Sequence, residues 1–480
     1  MNRAFLRTLI ILLLASLQWQ CSRSQQQPAV NQSVTSASVS ASSTAPQPEP
    51  EKLPESFDLV IQNGRVINPE TNLDADGYYV GITGGTITAV TKTQISGKQN
   101  IDAKGLVIAP GFIDVLSYEP NPLGVWNKIA DGVTTNLALH GGATFPDQWY
   151  GTYTSQRPPV HFGAGFFYSE ARNVLKMSMN APATASQRAE IKKLAVDALN
   201  KGALCISFSL EYVPGIDSLE VLQMMELAYQ YNVPVFFHAR YSDMEEPGTN
   251  FDALYELIRY ANKTKAAVHI DHINSTGGTF TMKRSLEILD SARAAGLDFS
   301  ACLYPYNFWG TKLNTHRFGP GWQKRFRISY QDLQLGGSSE RLTAESFEKY
   351  KKQGKLAVAY AIPEEDVVES MKCPWIMLGS DAILEPTHNN HPRASGTFAR
   401  VLGKYVREQK IITLAQAVHK MAYLPCKRLE KQAPAFRKKG RIAAGCDADI
   451  TIFNPQTVSD KATVENPEKQ SVGIEYVLVG

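Results

Sequence analysis

Ala109-Pro110-Gly111-Phe112-Ile113-Asp114-Val115-Leu116-Ser117-Tyr118 reads as a buried strand entered through a tight Pro-Gly turn. Ile108, Phe112, Ile113, Val115 and Leu116 supply a near-continuous apolar run. Such a run fits a parallel strand covered on both faces, whereas a half-exposed strand alternates apolar and polar residues. Downstream, strand-like runs alternate with helical ones. Strands are expected over Val133–Leu139, Ala203–Ser207, Val233–Phe237, Ala266–Ile270, Phe299–Leu303 and Trp375–Gly379, with helices over Thr184–Leu199, Leu219–Tyr231, Phe251–Ala261 and Met282–Ala295. Repeated βα units of this length predict an α/β chain, a parallel (β/α)8 TIM barrel over residues 108–436. Residues 312–370 exceed a simple βα unit, and their aromatic and charged content marks an insertion that caps the barrel mouth.

Upstream, Asp58-Leu59-Val60-Ile61 and Arg65-Val66-Ile67 flank Asn63-Gly64, and Gly84-Gly85 separates two further β-branched runs. Asn-Gly and Gly-Gly between such runs are hairpin signals. Short strands return at Lys439–Ile442, Ile450–Phe453 and Tyr476–Val479. Residues 57–107 and 437–480 are therefore read as the two parts of a small composite β-sandwich.

The 480-residue chain is 43% hydrophobic and 20% charged, which is globular. Its 49 basic and 46 acidic residues leave a net charge of +3, too small to indicate nucleic acid as a partner. Residues 1–20 carry Arg3 and Arg7 before the apolar run Leu9–Ala15, the pattern of a signal peptide with a core too short to span a bilayer comfortably. Cys21 resembles the lipidated cysteine of bacterial lipoproteins. Residues 21–56, rich in Ser, Gln, Thr, Ala and Pro, read as a disordered tether. The expectation is an exported protein, periplasmic or on the outer surface, with membrane contact only through a lipid on Cys21. The other five cysteines are scattered without a CxxC pair and read as buried thiols.

His140, His238 and His272 each fall near the end of a different strand, and Asp381 ends a later one. Barrel enzymes carry their chemistry at these carboxyl ends. Neutral imidazole is a common zinc ligand, and a catalytic site needs three protein ligands with one position open. Asp381 after Gly379-Ser380 also fits a helix N-cap.

The opening stretch resembles the first barrel strand of the amidohydrolase superfamily, where Pro-Gly-Phe-Ile-Asp precedes a metal-binding His-x-His pair. Leu116 and Tyr118 stand at those two positions. Gly445-Cys446-Asp447-Ala448-Asp449 resembles another marker of that superfamily. Within it the chain is similar to the D-aminoacylase group, the N-acyl-D-amino-acid deacylases. The resemblance runs through Gly202-Ala203 to Pro214-Gly215, His238-Ala239-Arg240, Tyr304-Pro305-Tyr306, Gly379-Ser380-Asp381, His391-Pro392-Arg393 and Gly396-Thr397-Phe398.

This resemblance implies a hydrolase of a small-molecule C–N amide, an N-acyl-D-amino acid or related non-peptide amide. His238 and His272 match two histidines of the group's tight metal site. The third ligand, a cysteine, falls at or beside Gly141, so His140 is expected to replace it. One divalent metal, zinc, is then expected. Asp381 matches the aspartate that takes a proton from the attacking water and hands it to the leaving amine. Tyr212 and Tyr306 match pocket residues. Arg240 and Arg393 suit a substrate carboxylate through their guanidinium forks, or ordinary ion pairs. Asn274 replaces the group's lysine after the second histidine. Two alternatives are a metal-free pseudoenzyme binding an acylated amino acid or cell-wall fragment, and a hydrolase of a cyclic amide or dipeptide.

Overall fold

The computed structural model describes residues 56–480. The signal peptide over 1–20, Cys21 with its lipid, and the tether up to residue 55 lie outside the described residues.

Two sheets pack face to face at one end. Their strand orders are Thr86–Thr91, Tyr79–Thr83, Phe57–Gln62, Gly97–Asp102 in the first, and Ile474–Leu478, Ile450–Phe453, Val107–Pro110, Arg65–Asn68, Leu73–Ala75 in the second. Ile450–Phe453 pairs antiparallel with Val107–Pro110, so both ends of the described chain share one sheet. Ile61, Val66, Val80, Ile87, Ile108, Ile450 and Ile452 fill the space between, all fully buried. Burying each such aliphatic side chain is worth about 1.5–3 kcal/mol against leaving it in water.

The barrel begins where that sheet ends. Phe112–Asp114, Val133–Ala138 and His161–Ala164 run parallel in one set. Phe166–Phe167, Ile206–Ser209, Val235–His238, Val268–Ile270, Phe299–Leu303 and Ile376–Leu378 run parallel in the next. Gly165 bends a single strand across the two sets: its N–H bonds Ala138 O, while the N–H of Phe166 bonds Cys205 O. A Cβ on Gly165 would lie 2.4 Å from Cys205 Sγ, so only glycine fits. The ring closes between the first and last strands. Ser117 bridges Ala382 in parallel, and the N–H of Asp381 donates to Leu116 O at 2.6 Å.

Asp114 locks this seam. Its carboxylate takes the Nζ of buried Lys128 and the N–H and hydroxyl of Ser380. Leu116 points into the barrel interior with Phe236, Cys302 and Met377. Gly379 lies against it, where a Cβ would come within 2.5 Å of Leu116 Cβ.

The helices cover the outside. Ala185–Asn200, Ser218–Tyr231 and Asn250–Thr264 each start on a capping box, formed by Thr184 with Gln187, Asp217 with Glu220 and Thr249 with Asp252. The strand expected over Ala203–Ser207 sits further on, at Ile206–Ser209, because Ala203 to Cys205 form the approach from the preceding helix. Within 312–370, Leu333–Leu335 and Leu356–Ala359 join Trp309–Lys312 in a small antiparallel sheet. Cys205, Cys302, Cys373, Cys426 and Cys446 are free and buried.

Candidate metal centre

His140, His238 and His272 meet at the carboxyl end of the barrel. One nitrogen or more from each ring lies within 4.8 Å of the others, and all three side chains are buried. The rings of His140 and His272 stand 4.9 Å apart, and those of His238 and His272 4.8 Å apart. Asp381 faces the same point. Its Oδ1 is 3.9 Å from His140 Nε2 and its Oδ2 is 3.8 Å from His272 Nε2. Asp381 has φ 53° and His272 φ 26°, both in the left-handed region that non-glycine residues rarely occupy. Backbone strain of this kind gathers at sites where a side chain must be aimed.

Each imidazole is held from behind. His140 Nδ1 meets Asp271 Oδ2 at 2.8 Å. His238 Nε2 meets Glu211 Oε2 at 2.8 Å. His272 Nδ1 lies 3.5 Å from the Thr276 hydroxyl. These acceptors draw the ring protons to the far nitrogens and turn bare nitrogens toward the centre. His238 Nδ1 and His272 Nε2 face each other at 3.2 Å. Two nitrogens of a tetrahedral zinc site, each 2.0–2.1 Å from the ion, stand about 3.3 Å apart. The residues fit a divalent cation in donor type and spacing.

The charges agree with that role. Burial drives His238 down to about 4, outweighing the pull of Glu211, and drives His272 well below the usual imidazole range, helped by the neighbouring rings. Both are neutral at pH 7, as metal ligands must be. Burial opposes protonation of His140, but the bond to Asp271 together with the charges of Asp271 and Asp381 outweighs it and holds this imidazole above its ordinary value. Burial pushes the Glu211 carboxyl up, yet Arg317, His238 and Ser242 outweigh burial and hold it at about 2.

A cavity of about 490 Å³ opens above the three rings. Tyr118, Tyr212, Tyr304, Trp309, Arg317 and Arg393 are among its walls. The Tyr212 ring lies 4.8 Å from that of His238, tilted by 54°, and its hydroxyl donates to Thr311, tying the barrel to the small antiparallel sheet. Arg393 Nη1 pairs with Asp381 Oδ2 at 2.8 Å. Arg317 crosses behind the site, with Nη1 3.2 Å from Glu211 and its guanidinium 4.1 Å over the Trp309 ring.

Two expected residues lie elsewhere. Arg240 spends its fork on Glu256 of the following helix, at 3.0 and 3.1 Å, and lines a separate cavity with Pro214 and Tyr241. Tyr306 is fully buried beneath Arg400 and donates to Pro392 O. The N–H of Tyr306 bonds Tyr304 O at 2.9 Å, a tight turn that sends the two tyrosines apart. Tyr304 reaches the cavity instead, its hydroxyl buried without a partner.

Glu211, Asp271 and Arg317 also shape the site, although the sequence alone marks none of them as functional. Glu211 stands beside Tyr212 and Asp271 beside His272, so each was within one residue of a selected position. Arg317 carried no local signal, because it arrives from the 312–370 segment.

No family model matches the chain. It is 29% identical over 471 residues to the N-acyl-D-glutamate deacylase of Alcaligenes xylosoxydans xylosoxydans, covering 89% of this chain and 93% of that protein. It is 28% identical over 468 residues to the D-aminoacylase of the same organism, covering 88% and 94%. Among solved structures, the N-acyl-D-glutamate deacylase of Bordetella bronchiseptica, determined with zinc and a phosphonate mimic of the tetrahedral intermediate, superposes with TM-score 0.77 at 25% identity, covering 88% and 95%. A D-aminoacylase structure superposes with TM-score 0.76 at 26% identity. The fold is therefore that of these amidohydrolase structures, an α/β TIM barrel beside a β-sandwich. Within that superfamily the chain is homologous to the D-aminoacylases and N-acyl-D-amino-acid deacylases.

Proposed function

We propose that this protein is a metal-dependent hydrolase that removes the acyl group from an N-acyl-D-amino acid or a closely related non-peptide amide. His140, His238 and His272 would hold one divalent cation, zinc. The observation that carries the reading is the approach of His238 Nδ1 and His272 Nε2 to 3.2 Å beneath the cavity, with His140 and Asp381 beside them. His140 brings an imidazole to the centre in a chain without the expected cysteine, which favours the hydrolase over a metal-free binding protein.

A bound divalent cation supplies Lewis acidity, polarising a carbonyl and bringing the pKa of water toward ~7. The chain's own groups do the rest. Asp381 faces the centre with both oxygens and takes a proton from the attacking water as general base. The same carboxyl then gives that proton to the leaving nitrogen. Arg393 keeps Asp381 aimed through its 2.8 Å pair. Tyr212 and Tyr304 line the cavity against the substrate, and Arg393 stands where a substrate carboxylate can share its fork. The amino-terminal pattern supports export, with the catalytic part held at a membrane by a lipid on Cys21.

The test is metal content with activity. Purified protein is expected to hold one equivalent of zinc and to release acetate from N-acetyl-D-amino acids. His140→Ala and His272→Ala are expected to lose both. Zinc retained by His140→Ala at full occupancy would remove His140 from the ligand set, and protein that takes up no zinc would end the hydrolase reading.

A further inference from the structure

We propose that Tyr118 is a positioning residue for Asp381, holding the carboxylate against the centre by its hydroxyl and by the volume of its ring. This rests on the hydrolase reading above. The phenol hydroxyl donates to Asp381 Oδ1 at 3.4 Å, long for an O–H···O bond, as contacts in unliganded active sites commonly are. Oδ1 is the oxygen that faces His140, while Oδ2 takes Arg393 and faces His272. The carboxylate is thus gripped at both oxygens from outside, by one neutral and one cationic donor, and both oxygens still reach the centre.

The ring is held on two sides and the backbone beneath it is tied down. It meets His140 edge-on, with centroids 5.6 Å apart at 89°. It lies over Gly141, where a Cβ would fall 3.1 Å from Tyr118 Cδ1. Its own carbonyl accepts from Asn136 Nδ2 at 2.8 Å, and Asn136 Oδ1 accepts from Ser117 Oγ at 2.8 Å. Ser117 is also the residue that bridges Ala382 across the barrel seam. Tyr118 and Asp381 therefore flank one strand pairing, and the seam sets the distance between them. The ring's seat on Gly141 leaves little room for a side chain there, in accord with the neighbouring His140 reaching the centre in its place.

The experiment uses the full chain loaded with zinc, and with cobalt for its visible spectrum. Tyr118→Phe keeps the ring and deletes the hydroxyl. It is expected to hold the same metal equivalents and the same cobalt spectrum, with KM within about twofold and kcat lower by roughly 10–100-fold, the range for a hydrogen bond to a charged group. Tyr118→Leu, which also removes the ring's support, is expected to lose more in kcat and still bind the metal. Wild-type kcat in Tyr118→Phe overturns the proposal, as does a rise in KM that accounts for the whole loss. Wild-type protein that is itself inactive and metal-free overturns the hydrolase reading instead, so the two failures are distinct.

Discussion

Asp271 Oδ2 lies 2.8 Å from His140 Nδ1, with Asp271 fully enclosed and His140 5% exposed. A carboxylate behind an imidazole fixes which nitrogen carries the proton, which way the ring faces, and how strongly the other nitrogen donates. Burial raises Asp271 to about 6 against the opposing effect of His140. Asp271→Ala is expected to weaken zinc affinity by about 10–100-fold, the usual cost of losing such a partner. Competition with a chromophoric chelator measures it, and an unchanged affinity would show that His140 needs no orienting group.

Asp381→Asn separates chemistry from metal binding. The amide keeps the size of the carboxylate but neither accepts nor returns a proton. The variant should retain its zinc and lose about 10²–10⁴-fold in kcat, the range for a general acid–base group. Turnover and metal analysis on the same sample check both halves. Loss of zinc along with turnover would recast Asp381 as a ligand.

Much of this was legible before any coordinates, and the misses share a cause. The run from Phe112 to Leu116 is apolar because the barrel wall encloses it on both faces, so its burial could be read from composition alone. The three histidines could be chosen because each directly follows or closes an apolar run. Arg240 and Tyr306 were chosen by resemblance in short triplets, and a triplet does not say which way a side chain leaves the strand. Glu256 on the next helix captured Arg240, and the turn after Tyr304 diverted Tyr306. Arg317 is the converse case: its contact with Glu211 spans 106 residues, and no local pattern encodes it.

That long-range contact predicts a stability effect. Arg317 and Glu211 are each 2% exposed at the side chain. Removing one member of a buried pair leaves the other charge without compensation, at a cost of about 3–5 kcal/mol. Arg317→Met is expected to destabilise the protein by that amount in denaturant unfolding of the metal-free form. Met retains packing against Trp309, so the loss reports the charge. A change below 1 kcal/mol would mean that His238 and Ser242 suffice to hold Glu211.

Glu211 also predicts how stability depends on pH. Its folded value of about 2 lies below the ordinary value of 4.5, so the unfolded chain binds the extra proton between those limits. Unfolding free energy then rises with pH across that window. The contribution is fully present above about 4.5 and is lost as pH falls toward 2. At about 1.4 kcal/mol per pKa unit the shift corresponds to roughly 3 kcal/mol. His238, held down at about 4 by burial, takes up its proton later than the unfolded chain does, so it adds a loss of stability of its own as pH falls from about 6.5 toward 4. Glu211→Gln removes the titrating group and keeps an acceptor for His238 Nε2. Melting temperatures of the metal-free protein from pH 5.5 down to pH 3, measured beside Glu211→Gln, should fall more steeply in the wild type. Parallel curves would assign the acid lability to other carboxylates.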